Sequence, residues 1–210
     1  MGIPAHMAEH TVATRVLIVE DDALLAEALA ARAQQAGVMP IVCGDRPSAL
    51  ANAGGCAVAI IDLGLPPRAN APDEGLLVVE TLALRHPDMT LVVQSGQEEA
   101  SAAFAALAAG AWDFLAKPVS PTEFDSTLQR ALRRAQAAQG LLVQGRSLPG
   151  GPAIALRGLK EASDAAQERL LRSVLAATDY NVAEAARRLG MQRERLYYYL
   201  DKFGIRRPNC

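Results

Sequence analysis

Short apolar runs alternate with longer stretches of helical period through the first two-thirds of the chain. Arg15–Glu20 (RVLIVE) is an apolar run closing on acids, and Ala23–Ala36 carries a helical repeat that stops at Gly37. Val38–Cys43 predicts a strand and Pro47–Ala53 a short helix. Ala57–Asp62 (AVAIID) predicts a buried strand that again closes on an acid. Gly75–Arg85 predicts a helix halted near Pro87, Thr90–Ser95 (TLVVQS) a strand, Glu98–Ala109 a helix and Trp112–Ala116 a strand. Pro121–Ala138 predicts a helix with proline in its first turn, where a missing N–H costs nothing. The strands are unbroken apolar runs, as strands covered on both faces are. Five of them alternating with five helices predict an α/β fold, a parallel sheet between two helical layers. In such folds the site lies at the carboxyl ends of the strands. That rule singles out Glu20, Asp21, Asp62, Ser95 and Lys117.

Residues 140–155 (GLLVQGRSLPGGPAIA) break the alternation: they are rich in glycine, hold two prolines and keep no period. They predict a linker over about 139–156. Beyond it come three helical segments and no strand, at about 158–177, 182–189 and 193–203. The expected organisation is a first domain over 14–138 and a small all-α domain over 157–210. The start, 1–13, lies outside both. Met1–Met7 lacks the cationic-then-apolar order of a signal peptide and reads as an expression scar ahead of a native Met7.

The net charge of -2 hides an uneven distribution. Residues 1–151 hold 10 Lys and Arg against 16 Asp and Glu, whereas residues 152–210 hold 11 against 7. A basic second domain suits an anionic partner. Cys43, Cys56 and Cys210 show neither CxxC spacing nor a zinc pattern with histidine, and read as buried thiols of a reducing compartment, the cytoplasm. No apolar run reaches the ~18 residues of a membrane span, so no membrane partner is expected.

Glu20, Asp21 and Asp22 close the first strand and Asp62 the third, so the sheet crowds their carboxylates together. Crowded carboxylates need a cation or raised pKa values. An all-oxygen site suits Mg²⁺, which keeps waters and takes phosphate oxygens. Asp62 would then be a carboxylate nucleophile for a phosphoryl group, with Lys117 and Ser95 as partners of the acyl phosphate. Asp22 is expected to cap the following helix.

The pieces LIVEDD (Leu17–Asp22), IIDLGLP (Ile61–Pro66), VVQSG (Val92–Gly96) and GAWDFLAKP (Gly110–Pro118) resemble the receiver domain of bacterial two-component systems over about 15–138. The resemblance implies a flavodoxin-like sheet of order 2-1-3-4-5. It implies Asp62 as phospho-acceptor and a Mg²⁺ site of Glu20, Asp21, Asp62 and the backbone carbonyl of Gly64. It also implies Ser95 as switch hydroxyl, Phe114 as switch aromatic, Lys117 as phosphate partner, and a cis bond from Lys117 to Pro118. Two features depart from the family. Its Asp-Gly or Ser-Gly pair is Glu74-Gly75 here, with Gly75 thirteen residues beyond Asp62, so Pro66–Gly75 is about five residues longer than usual. Arg68 within it reads as a solvated loop residue. Gly64 and Gln97 stand at the positions that tune the lifetime of the phosphate in the family.

The basic tail reads NVAEAARRLGMQRERLYYYLDKFGI (Asn181–Ile205). Asn181 can cap a helix whose apolar stripe is Val182, Ala185, Ala186 and Leu189. Gly190 supplies a turn, and Leu196, Tyr199, Leu200 and Phe203 face a core at helical spacing. Gln192, Arg193, Arg195, Tyr197, Tyr198 and Lys202 are left as candidate DNA contacts. Two short helices joined at a glycine, the second cationic, form the helix-turn-helix pattern. Over about 161–205 the tail resembles the Fis-type helix-turn-helix of nitrogen-regulation-type activators. That resemblance implies contact with double-stranded DNA through Gln192, Arg193 and Arg195, and a four-helix dimer core built from Leu170, Leu171, Val174 and Leu175.

The large activators of that class hold an ATPase between these parts, whereas this chain has no GxxxxGK loop. The expected function is a non-enzymatic, phosphorylation-switched transcription regulator: a sensor histidine kinase phosphorylates Asp62, the face around the fourth helix and fifth strand pairs with a second subunit, and a homodimer binds DNA. An aspartyl-phosphate phosphatase would need an acid where Gly64 stands. The alternative is a phosphorylation-independent DNA-binding or interaction protein whose long loop occludes the site.

Overall fold

The computed structural model describes residues 13–67, 73–96, 100–143 and 152–206, with the backbone alone for 139–143 and 152–163. The expected leader, Arg68 and Gln97 lie outside the described residues. In chain order the elements are β1 (Arg15–Val19), α1 (Ala23–Gln35), β2 (Met39–Cys43), α2 (Arg46–Asn52), β3 (Cys56–Asp62), α3 (Asp73–Arg85) and β4 (Thr90–Ser95). They continue with α4 (Ala100–Ala109), β5 (Asp113–Ala116), α5 (Pro121–Val143), α6 (Pro152–Ala177), α7 (Val182–Arg188) and α8 (Arg193–Lys202).

The five strands form one parallel sheet in the order β2-β1-β3-β4-β5, as expected. Strand alternation divides its side chains between two cores. Val16, Ile18, Val58, Ile60, Val92 and Leu115 pack with Leu29, Phe124 and Leu128 of α1 and α5. Leu17, Val19, Ala59, Ile61, Leu91 and Val93 face the other way, towards α2, α3 and α4. Asp22 caps α1 by accepting from the amides of Leu24 and Leu25, at 2.9 and 3.0 Å, and Asn181 caps α7 in the same manner.

The expected linker differs from the structure. α5 runs on to Val143 and α6 begins at Pro152, so the described residues of that range, 139–143 and 152–156, are helical. An established helix adds residues without a new nucleus, and Gly140 costs it only about 1 kcal/mol. Pro152 stands first in α6, the one helical place where proline is at ease.

The second core does not end with the receiver-like fold. It continues into Leu170, Leu171, Val174 and Leu175 of α6, Ala185 and Ala186 of α7, Leu189, and Leu196 of α8. The reason lies in α4, ASAAFAALAA, which has no polar face to give to water: Ala100, Ala102, Ala103, Phe104, Ala106 and Leu107 are all buried. A helix apolar all round must be covered all round, and here the sheet covers one side and the carboxy-terminal helices the other. Each of its larger side chains contributes about 1.5–3 kcal/mol by burial.

Candidate functional site

The parallel register sets Val19 beside Ile61, so the residues that close β1 and β3 emerge together at one sheet edge. One carboxylate oxygen each from Glu20, Asp21 and Asp62 lies within 4.8 Å of the others. Glu20 and Asp62 are buried and Asp21 is exposed. Lys117, reaching in from beyond β5, places its ammonium 2.9 Å from Asp62 Oδ2 and 3.0 Å from Glu20 Oε2. Its backbone N–H donates to the carbonyl of Ser95 at 2.8 Å, and its bond to Pro118 is cis. Burial, with the charge of Asp62 added, pushes the Glu20 carboxyl up, and Lys117 offsets this only in part. Burial opposes the charge on Lys117, but Asp62 and Glu20 more than offset it, so the ammonium is held above its ordinary value. Ser95 is buried at the end of β4, Phe114 is half-buried against the core that holds α4, and Gly64 is buried two residues past Asp62.

Gly75 explains how the site survives the long segment before α3. A Cβ at Gly75 would stand 2.4 Å from Leu63 Cα and 2.5 Å from the carbonyl oxygen of Asp62. No side chain fits there. The first turn of α3 therefore presses its backbone directly on the chain that leaves β3. Arg46 of α2 holds the neighbouring Glu74 at 2.6 Å.

Sequence reasoning missed a second charged centre. Asp113 on β5 is 1% exposed, and two arginines reach it: Arg130 of α5 at 3.0 Å and Arg169 of α6. Asp113 also accepts the backbone N–H of Phe114 at 2.8 Å. An acid within an apolar strand was the available signal, because a buried carboxylate needs partners. The partners, 17 and 56 residues away, were not readable.

The α4–β5 face, expected to pair with a second subunit once Asp62 is phosphorylated, is occupied within the chain. That face is covered by this chain's own α6 and α8. Phe104 of α4 meets Tyr199 of α8 edge to face at 5.0 Å. A Cβ at Gly190, where φ is +60°, would come 2.9 Å from Ser101 Cβ, so the α7–α8 turn rests on α4. Leu170, Leu171, Val174 and Leu175 share one apolar cluster with Phe104 and Leu107.

The outer side of α8 is open. Gln192, Arg193, Arg195, Tyr197 and Tyr198 are all exposed. Lys202 is instead turned to Asp164 of α6, at 2.7 Å, with its ammonium 4.8 Å from the centre of the Phe203 ring. On α7, Arg187 and Arg188 both grip Glu184, holding its carboxyl down at about 2.

Residues 16–129 match the family model of the response regulator receiver domain, and residues 165–203 that of bacterial regulatory proteins of the Fis family. The photosynthetic apparatus regulatory protein RegA of Rhodovulum sulfidophilum is 31% identical over 189 residues, covering 89% of this chain and 91% of the relative. RegA of Cereibacter sphaeroides is likewise 31% identical, over 89% of this chain and 90% of its own. Among solved structures, the receiver domain of NtrX from Brucella abortus is similar with a TM-score of 0.51 at 26% identity, covering 56% of this chain and 98% of that domain. The chain belongs to the two-component response regulators, as a transcriptional regulator in which a receiver is joined to a Fis-family DNA-binding domain with no ATPase domain between them.

Proposed function

We propose that Asp62 is the phospho-acceptor of a switch that controls DNA binding, with a sensor histidine kinase as donor and the cytoplasm as its compartment. The observation that carries this reading is the ammonium of Lys117, which bridges the buried carboxylates of Asp62 and Glu20. An acyl phosphate formed on Asp62 would find that counter-charge already in place. The pocket also fits Mg²⁺: three carboxylates against one lysine leave negative charge in excess, and all the donors are hard oxygens. Glu20, Asp21, Asp62 and the backbone carbonyl of Gly64 would hold the ion, which when bound supplies positive charge to the phosphoryl oxygens. Ser95 would donate its hydroxyl to the phosphoryl group, and Phe114 would follow it inward.

In the unphosphorylated chain the receiver holds α6. Phe114 lies on β5 beside β4, the strand that Ser95 closes, and donates its N–H to Asp113, which binds Arg169. Movement of Phe114 therefore disturbs the hold on α6. Release would free Leu170, Leu171, Val174 and Leu175 to build a homodimer, whose paired α8 helices meet two half-sites of double-stranded DNA. Gln192, Arg193 and Arg195 would contact bases and phosphates, and Tyr197 and Tyr198 the sugar-phosphate backbone. Lys202 would join them only by leaving Asp164.

The test is intact mass after incubation with acetyl phosphate and Mg²⁺. Wild type should gain one phosphoryl group and Asp62→Asn none. A wild type that stays unmodified with both acetyl phosphate and a kinase phosphodonor would return the reading to a phosphorylation-independent regulator.

A further inference from the structure

Gln94 is fully buried in β4, and neither its amide nitrogen nor its amide oxygen has a hydrogen-bond partner. No other side chain among the described residues leaves a buried polar atom so. Leaving two such atoms unpaired is costly, and where a fold tolerates this a function is the usual reason.

The place of Gln94 in the sheet says what that function is. Val92, two residues earlier, faces α5 together with Leu115, Phe124 and Leu128. Alternation puts Gln94 on the same face. Its register partners are Asp62 on one side and Leu115 on the other. Lys117 lies two residues beyond Leu115, past the end of β5. To reach Asp62 and Glu20, which close β3 and β1, its side chain must cross the end of β4. The β4 side chain on that face is Gln94. The one buried carboxamide without a hydrogen-bond partner among the described residues therefore lies where the lysine of the phosphorylation site passes.

We propose that Gln94 is a positioning residue for phosphorylation, whose amide oxygen accepts a proton of the Lys117 ammonium once Asp62 carries phosphate. The proposal rests on the reading of Asp62 as phospho-acceptor. An ammonium has three protons to donate, and Asp62 and Glu20 take two of them. In the transfer, an oxygen of Asp62 forms a bond to phosphorus while the bond to the donor's leaving group breaks, and acetate departs with that electron pair when acetyl phosphate is used. The esterified oxygen no longer carries the charge that held Lys117. The ammonium turns to a phosphoryl oxygen, keeps Glu20, and calls for an acceptor for its third proton. The amide of Gln94 supplies one without adding a negative charge beside three carboxylates. A glutamate there would repel them, and a leucine would leave the ammonium short of a partner.

The experiment compares wild type with Gln94→Met and Gln94→Leu, which keep the volume and remove the amide. Melting temperature, the rate of mass gain with acetyl phosphate and Mg²⁺, and the half-life of the phosphorylated form are measured. Both variants should melt at or above the wild-type temperature yet take up phosphate about tenfold more slowly, the effect of one hydrogen bond to a charged group. In wild type labelled with ¹⁵N-glutamine, the side-chain amide resonance missing from Gln94→Met should shift when Asp62 is phosphorylated. Variants that load and hold phosphate like wild type, or a Gln94 resonance that stays in place, would overturn the proposal while leaving Asp62 as acceptor. A wild type that never gains mass would remove the reading of Asp62 and this inference with it.

Discussion

Replacing Arg169 by alanine should loosen the receiver's hold on α6 without touching either the phosphorylation pocket or the DNA-facing side of α8. The side chain of Arg169 is 53% exposed, whereas its partner Asp113 is buried. A hydrogen bond to a charged group contributes about 1.5–3 kcal/mol. Solvent at the guanidinium reduces that, and Asp113 keeps Arg130 at 3.0 Å, so the acid is not left unpaired. About 1 kcal/mol remains, or roughly a fivefold shift towards the released state in each subunit. A DNA-bound dimer requires both subunits released, so the unphosphorylated variant should bind a two-half-site duplex about 25-fold more tightly than wild type, the square of that shift. The assay is fluorescence anisotropy at one fixed salt concentration, because affinity for DNA falls steeply with salt. The duplex is one recovered from a random pool by the phosphorylated protein. Phosphorylated wild type and phosphorylated variant should bind alike, since both are already released. Equal affinity of the two unphosphorylated proteins would refute the idea that this ion pair restrains α6.

Gly75→Ala should lower stability by about 2–3 kcal/mol, read from the denaturant midpoint, because its Cβ would meet the backbone of Leu63 and Asp62 and neither can yield. Arg193→Ala should cost about 1–3 kcal/mol of DNA affinity and relax base preference at one position, checked by binding to a set of single-base variants of the site. Glu184→Gln should tighten DNA binding and steepen its salt dependence, because Arg187 and Arg188 are freed to meet phosphates. The pH dependence of that cluster has a definite sign. Arg187 and Arg188 hold Glu184 at about 2, below its ordinary 4.5, so its contribution is full above about pH 4.5 and is lost as pH falls towards 2. An acid titration of helicity should show wild type losing between those values a stability increment that Glu184→Gln never had.

The sheet and its pocket were legible because each rests on a local rule. Apolar runs such as AVAIID fit doubly covered strands, and the acids that close the first and third strands could only stand at one edge of a parallel sheet. Glu20, Asp62, Ser95 and Lys117 followed from that edge alone, and the family resemblance assigned their roles. What escaped was whatever depends on a partner far along the chain. ASAAFAALAA announces a helix without a charged face, but nothing in its pattern says that α6 and α8 supply the outer cover. Leu170, Leu171, Val174 and Leu175 form an apolar stripe that serves equally for a second subunit or for α4, and the structure uses it in one continuous cluster with Phe104 and Leu107. The same stripe cannot serve both at once. Under the proposed switch, this exclusivity would let the receiver control a domain whose candidate DNA contacts it leaves uncovered. Occlusion of Arg193 would have been a simpler device, yet Arg193 is exposed. On that reading the control acts on pairing. On that reading a single tail would still touch DNA through one half-site, weakly and without dependence on phosphate, while binding to two half-sites would wait for release of α6. A one-half-site duplex should accordingly bind phosphorylated and unphosphorylated protein with the same affinity, and a difference there would mean that the receiver acts on α8 itself.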